Sequence, residues 1–481
     1  MKIGFLKVFN TVDISHYYPI AFGHLQAYIA KYTDIKFDPV LLDYRKPFEK
    51  LDTLDILCVS SFSHNFDDAI LLCNQYKEKK PDLVILFGGL HITHFPETLP
   101  ESADIGVLGE GEVTFSELLQ LYQDKKKFSH EDLVNIKGLI YRDNSGHLVR
   151  TGRRELVEKL DDLGLPARNL YRDDKFPYLF TTRGCPYRCT FCSSTEFWER
   201  TRYFSPEYIC SDIKNILSLF PDIKLLGIWD DLFVADKSRL RKIRDILYRD
   251  KVFINSNIEM ACQVRAHLVN DELCQLLHQL RITSVSFGFE SNNDTLLKKL
   301  KPHASVSNNL KALDKLKEFN IPAVCSFILG IPGETENDVH HLYKMIIDLI
   351  HQKKIVEAHV NILMPMPNTE IWKDAQEKGI IDTDDIRWSR LRYFCTFRDT
   401  AFNTPEEWAA ARLKNKSFYL NEECLPERRL LELIVMYEHQ IMAAMASSKS
   451  PYPFPKYKHV DPNNPNDVHT FILNEVQTDT R

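Results

Sequence analysis

The chain has 481 residues, with 61 lysines and arginines against 67 aspartates and glutamates, for a net charge of −6. At roughly 150 residues per domain, that length predicts about three domains. A composition of 44% hydrophobic and 27% charged residues excludes disordered and fibrous classes, and the slight acidity removes any bulk attraction for nucleic acid.

No window approaches an uninterrupted apolar membrane span. The most apolar stretch near the C-terminus, Leu430 to Ala446, carries Glu432, Glu438 and His439 and reads as an amphipathic helix. The N-terminal MKIGFLKVFN is strand-like and has no small-residue cleavage site after it, so a cytoplasmic location is expected. Of eleven cysteines, eight are scattered (Cys58, Cys73, Cys210, Cys262, Cys274, Cys325, Cys395, Cys424) and mostly sit in apolar stretches. Cys185, Cys189 and Cys192 lie together. One tight cluster among scattered singles points to a reducing compartment and a metal site, not a disulfide framework.

Residues 1 to 125 alternate β-rich runs (KIGFLKVF, DPVLLDY, LDILCVSSF, LVILFGGL, DIGVLGEG) with helical segments near 20–31, 66–80 and 113–123. Such alternation predicts a doubly wound parallel sheet, which binds ligands at the C-terminal ends of its strands. Those ends carry Asn10 to His16, Ser60 to His64, Gly88 to His94 and Gly109 to Glu112, which are small, polar or glycine-rich. Residues 126–175 form a connector with two short strands, GLIYR and LVRTG, around the turn DNSGH.

A second alternation follows, with strands YLFTTRG, KLLGIWDD, VFINSNIEM, TSVSFGFE, AVCSFILG and VEAHVNIL. Its helices are expected at 206–219, 237–249, 271–280, 306–319 and 335–351, with Ser205-Pro206 and Asn270/Asp271 as N-terminal signals. Six units predict a partial parallel barrel over 176–380. Residues 381–481 read as a helical region ending in the irregular PYPFPKYKHVDPNNPND.

TTRGCPYRCTFCSS sets Cys185, Cys189 and Cys192 as C-x3-C-x2-C on the loop after the first barrel strand, where barrel chemistry is done. Three thiolates call for iron–sulfur or zinc. Structural zinc needs a fourth ligand, and the available Cys210 lies within an amphipathic helix. Three ligands on a four-iron cluster leave one iron open.

This spacing, with the aromatic Phe191 before the last cysteine and a (βα)6 part-barrel behind it, resembles the radical S-adenosylmethionine superfamily. The resemblance implies a [4Fe-4S] cluster on Cys185, Cys189 and Cys192. Its open iron would chelate S-adenosylmethionine, which is reductively cleaved to methionine and a 5′-deoxyadenosyl radical. It also implies S-adenosylmethionine contacts from Phe191, from Asp230 in WDDLF, from Arg265 in CQVRAHLV, from Glu290 in FGFES and from Gly330 in GIPGET. Each has a structural alternative: a helix cap for Asp230, an Arg265–Glu290 ion pair, and a turn for the glycines.

FGGLHITHFPETL, DIGVLGEGEVTFSELL, the first helix PIAFGHLQAYIA and the connector together look like the cobalamin-binding domain that precedes the barrel in one large subfamily. The resemblance covers about residues 1–380. It implies cobalamin held by Ser60, Ser61, Phe62, His64, Gly88, Gly89, His91, Gly109, Glu110, Gly111 and Glu112. The Asp-x-His-x-x-Gly motif that ligates cobalt from below in many cobalamin enzymes is absent, and Asp13-Ile-Ser-His16 has the wrong spacing. His91 is therefore not expected to ligate cobalt, and Phe62 or His64 is expected below it.

The fold expected is α/β: a flavodoxin-like cobalamin-binding domain (1–125), a connector (126–175), a partial barrel (176–380) and a mainly helical C-terminal region (381–481). The expected function is a cobalamin-dependent radical enzyme that methylates an unactivated carbon, or phosphorus, of a small molecule. A reductase, flavodoxin or ferredoxin would supply electrons, and neither nucleic acid nor a membrane span is expected. The rivals are a cobalamin-dependent enzyme with non-methylating chemistry, a methylthiotransferase, and a cobalamin sensor or carrier without catalysis. Trp388, Arg390, Arg392, Tyr393, Phe394 and Arg398 form an aromatic, basic stretch that reads either as a substrate wall or as a salt-bridged helix face.

Overall fold

The computed structural model describes residues 1–8, 19–42, 46–171, 177–383, 385–395 and 402–447. The loop Asn10 to His16, Arg398 and the segment from residue 451 onward lie outside the described residues.

Seven strands make the first sheet: β1 (Lys2–Lys7), β2 (Asp38–Leu41), β3 (Ile56–Ser60), β4 (Val84–Gly88), β5 (Ile105–Val107), β6 (Leu139–Arg142) and β7 (Leu148–Arg150). Their order is β2-β1-β3-β4-β5-β6-β7. The first five pair in parallel, and the two connector strands extend the sheet antiparallel. Strand order reverses between β1 and β3, which opens a crevice at their C-terminal ends.

Alternate residues of these strands feed two apolar layers, as a sheet covered on both faces requires. Ile3, Phe5, Ile56 and Cys58 pack with Phe22, Ile29, Phe115 and Leu118 of the helices Ile20–Tyr32 and Glu112–Lys125. On the other face, Leu57, Val59, Ile85 and Phe87 pack with Phe66, Cys73 and Tyr76 of the helix Phe66–Lys79. That layer also takes in Trp372, Trp388, Leu391 and Phe418 from the far end of the chain.

The second sheet has six parallel strands in the order β15-β14-β13-β12-β11-β8. They are β8 (Tyr178–Leu179), β11 (Leu225–Ile228), β12 (Glu259–Val264), β13 (Ile282–Glu290), β14 (Ala323–Leu329) and β15 (Glu357–Ile362). Between β8 and β11 lies a short antiparallel hairpin, β9 (Thr182–Arg183) with β10 (Arg202–Tyr203). Outward residues such as Cys262, Val264, Phe287, Cys325 and Val360 meet the helices in one large core. The inward positions include the exposed Gln263 and the half-buried Ser286, Ser326 and His359, so the concave face is polar and open.

The helices expected in the barrel are present as Pro206–Leu219, Lys237–Arg249, Asp271–Gln279, Val306–Glu318 and Glu336–His351. Ser205 and Asn270 cap two of them by accepting from the amides of Tyr208 and Leu273. Two strands depart from expectation. VFINSNIEM is not one strand: Val252–Asn255 forms a helical turn that buries Val252 and Phe253, and β12 begins only at Glu259. YLFTTRG is divided, because Thr182 and Arg183 leave the barrel to pair with β10.

The helix Glu370–Glu377 follows β15, and the C-terminal region contributes the helices Pro405–Asn415 and Glu427–Ser447. Leu430, Leu431, Leu433, Ile434 and Ile441 of the last helix bury against the barrel core, as its apolar stripe predicts. Among the described residues no helix is long and apolar enough to cross a membrane.

Candidate active site

Cys185, Cys189 and Cys192 sit half-buried on the loop that leaves β9. The guanidinium of Arg265, just past β12, stacks 4.0 Å over the Tyr187 ring and donates to Cys189 Sγ at 3.4 Å. Burial pushes the thiols of Cys185 and Cys192 up, the latter to about 12, and Asp231 and the neighbouring thiols reinforce the shift. Metal binding must therefore displace protons from this loop.

Among the described residues no three His, Cys, Asp or Glu side chains close on one ion-sized point. Cys210 faces away, 1% exposed, with its thiol against the Ile243 carbonyl, so it is not a fourth ligand. The donor set of three loop thiols with a guanidinium beside one of them fits an iron–sulfur cluster.

The residues expected around S-adenosylmethionine divide. Phe191 packs on a small apolar cluster at the barrel mouth formed by Leu296, Leu300, Ile328, Ile331 and Leu363. Asp230 is 1% exposed and accepts from the Thr181 and Thr182 amides and the Thr181 hydroxyl. It is a lock between the first two barrel strands and not a cap, and burial pushes its carboxyl up to about 6. The adjacent Asp231, the second carboxylate of the acidic pair in WDDLF, accepts from Ser194 just past the cysteine loop.

Glu290 pairs with Lys301 at 3.2 Å, not with Arg265. It holds φ +68° where β13 slips register against β14, a strained conformation of the kind found at functional sites. The Gly330 amide donates to Glu334 at 2.6 Å, and the Tyr419 ring from the C-terminal region abuts it. Glu334 is 1% exposed and its carboxyl is pushed up to about 8 by burial.

In the first domain, Ser60 ends β3, and Ser61 and Phe62 follow it at the crevice. Phe62 is exposed and stacks on His64. Gly88 ends β4, and Gly89 takes φ +105° where a Cβ would stand 2.5 Å from the Ser61 carbonyl, so only glycine lets these two loops meet. Gly109 donates to Thr93 Oγ1 and is otherwise open, and Gly111 precedes the helix Glu112–Lys125.

Three residues grouped with this crevice in the sequence reading are engaged elsewhere. His91 is fully buried, with Nδ1 2.9 Å from Ser63 Oγ and Nε2 3.0 Å from Thr98 Oγ1, and its ring stacks on Phe66. Both ring nitrogens are occupied, and burial lowers its pKa to about 3, so it packs the loop from behind. Glu110 and Glu112 turn away from the crevice to the β9–β10 hairpin. Glu110 pairs with Arg183 and, at 2.8 Å, with Arg202, while Glu112 pairs with Arg183 at 2.6 Å. All four side chains are buried. Burial alone would lower the Arg183 pKa, and the two carboxylates more than reverse that.

The aromatic, basic stretch is neither a free helix face nor a barrel wall. Trp388 packs edge-on against His91 at 4.4 Å, and the Ser389 amide donates to Asp67. Arg392 donates to the His64 carbonyl and pairs with Asp68, and Phe394 meets the His64 ring. Arg390 bonds the Lys416 carbonyl and stacks on Phe418, and burial raises the Tyr393 pKa. Nothing in the sequence marks the first-domain partners of this stretch, which lie roughly 300 residues earlier in the chain.

Residues 179–346 match the model of the radical SAM superfamily. A protein named as an uncharacterized methyltransferase of Pyrococcus horikoshii is 27% identical over 427 residues, which span 85% of this chain and 89% of that one. The structure of OxsB, a cobalamin-dependent S-adenosylmethionine radical enzyme with aqua-cobalamin and S-adenosylmethionine bound, superposes with a TM-score of 0.65 at 16% identity. The match covers 86% of this chain and 66% of OxsB. The methyltransferase TsrM of Kitasatospora setae, with tryptophan and a cofactor analogue bound, gives 0.63 at 16% identity, covering 78% of this chain and 76% of TsrM. Residues 179–346 thus carry a radical SAM superfamily domain, with its cysteine loop at the mouth of an open parallel barrel, and the chain with its doubly wound domain ahead of that barrel shares the fold of OxsB and TsrM.

Proposed function

We propose that this enzyme is a cobalamin-dependent methyltransferase acting on an unactivated carbon of a small molecule. When bound, the cluster supplies the electron that cleaves S-adenosylmethionine, and cobalamin carries the methyl group. The observation that supports this reading is the meeting of the two ligand-type edges. The loop after β5 is ion-paired to the hairpin that runs into Cys185, and His94 past β4 meets Phe197 just past Cys192, with ring centroids 6.3 Å apart. Two reactive groups held on these facing loops gain rate from proximity alone.

In this reading Cys185, Cys189 and Cys192 hold the cluster, and Arg265 donates to the cluster-ligand sulfur and to the S-adenosylmethionine carboxylate. Phe191, Glu290 and Gly330 line the nucleoside side. Ser60, Ser61, Phe62, His64, Gly88, Gly89, Gly109 and Gly111 would hold cobalamin at the crevice of the first domain. Electrons come from a reductase, flavodoxin or ferredoxin in the cytoplasm, where the thiols stay reduced. OxsB, described as a radical enzyme and not as a methyltransferase, keeps a second reading in view: cobalamin-assisted radical chemistry without methyl transfer.

The test is oxygen-free purification with added iron, sulfide and hydroxocobalamin, followed by metal analysis. About four irons per chain, from the usual composition of such clusters, together with stoichiometric cobalt are expected. Iron without retained cobalt overturns the cobalamin role, and zinc in place of iron overturns the whole assignment. Methyl transfer is then distinguished from the second reading by whether the product gains the mass of a methyl group.

A further inference from the structure

The Glu110–Glu112–Arg183–Arg202 cluster joins the two cofactor loops through buried charge. Arg183 forks between Glu110 and Glu112. Arg202 reaches Glu110 and the Val157 carbonyl, and the Val157 amide returns a bond to Glu110. The Trp198 ring lies 5.2 Å beneath Arg183 and 6.0 Å beneath Arg202. The charges balance, two against two, so moving any one leaves an uncompensated ion out of water.

Both ends of the clamp are stiffly attached to the sites. Glu112 opens the helix Glu112–Lys125, immediately after Gly109–Gly111. Arg183 is followed by Gly184, held at φ +89° with no room for a Cβ against the Arg200 carbonyl (2.7 Å), and then by Cys185. Displacement of Arg183 must therefore move the first cysteine. The seam is also under-satisfied: His24 Nδ1, Glu112 Oε2, Thr182 Oγ1 and Arg202 Nε and Nη2 are buried without a protein partner. Unpaired polar groups at a buried seam of this kind are costly, so the clamp is sensitive to what binds on either side of it.

We propose that Arg183 is a positioning residue that ties the cysteine loop to the Gly109–Glu112 loop, so that cobalamin in the first domain and the cluster in the barrel strengthen each other's binding. The inference rests on the two-cofactor reading above. Coupling of this kind is reciprocal, because each ligand biases the same clamp.

The experiment is equilibrium dialysis of the full chain against hydroxocobalamin, with cobalt counted by mass spectrometry, before and after cluster reconstitution. It is run on the wild type, Arg183→Lys and Glu112→Gln, each checked by its thermal unfolding. Lysine keeps the charge but not the fork, and glutamine leaves Glu110's bonds to both arginines in place. The cluster is expected to tighten wild-type hydroxocobalamin binding by about fivefold or more, the lower range of allosteric coupling. In the folded variants the gain falls below about twofold, with iron content unchanged. A clamp that only stabilises the fold would lower the unfolding temperature and leave the coupling intact. Equal wild-type affinity with and without the cluster, or full coupling in every folded variant, overturns the inference and leaves the proposed function standing. Failure of the wild type to retain cobalamin in either form overturns both.

Discussion

Asp230 and Asp231 are neighbours in sequence and part company in the fold. Asp230 turns inward onto the threonine amides and Asp231 outward to Ser194 beside the cysteine loop. Their acidic pair was legible as a motif, but which carboxylate faces the site depends on the strand's pleat, which no local pattern states. The cysteine triplet was fully legible, because its chemistry is carried by spacing within eight residues. The ion pairs of Glu110 and Glu112 were not legible, because their partners lie 71 to 92 positions away. Arg265 lies beside Cys189, and its proposed contact with the S-adenosylmethionine carboxylate gives a test: Arg265→Ala should keep its iron yet bind S-adenosylmethionine roughly tenfold or more weakly by equilibrium dialysis, since a bond to a charged group contributes about 1.5–3 kcal/mol. Glu334 offers another. Its folded pKa is pushed up to about 8, well above the usual carboxylate value. The protonated form is thus favoured by folding, and its contribution is complete below about pH 4 and lost as pH rises through 8. Urea unfolding from pH 5 to 9 should show wild-type stability falling with pH by at most about 1.4 kcal/mol per unit relative to Glu334→Gln, which lacks the titrating proton.

At the scale of elements, the alternation of strands and helices was readable because buried parallel strands are apolar runs and the helices carry their own caps. The misplaced third barrel strand shows the limit of that signal. Val252 and Phe253 are as apolar as a strand residue, but they bury from a helical turn, and a short apolar run does not distinguish the two. The loop crossing of Gly89 over Ser61 was likewise invisible, since it joins two strand ends. Gly89→Ala should cost more than about 2 kcal/mol in denaturant unfolding, because it adds a left-handed strain to a backbone clash. Trp388, whose ring fills the space against His91 and Phe95, is an equally sharp test. Trp388→Ala should destabilise the first domain by about 3–5 kcal/mol, seen as earlier proteolysis of residues 1–171 than of the barrel.

For the whole molecule, the order of domains was legible and their mutual embrace was not. The chain leaves the first sheet, builds the barrel, and returns through Trp372, Trp388 and Leu391 to finish the apolar layer on which Leu57 and Phe87 lie. At the same place Phe394 accepts from the Ile362 amide at the end of β15, so one segment covers the barrel edge and the first domain together. The bonds from Ser389 to Asp67 and from Arg392 to His64 close loops of 322 and 328 residues. A ribosome releasing this chain therefore emits a first domain whose Phe66–His91–Phe95 face stays bare until Trp388, roughly 300 residues further along, has emerged. For that interval the nascent protein carries a sticky surface, and a chaperone has its longest opportunity to hold it. Any message cut short before codon 388 would yield a product with both cofactor loops encoded and that face left uncovered.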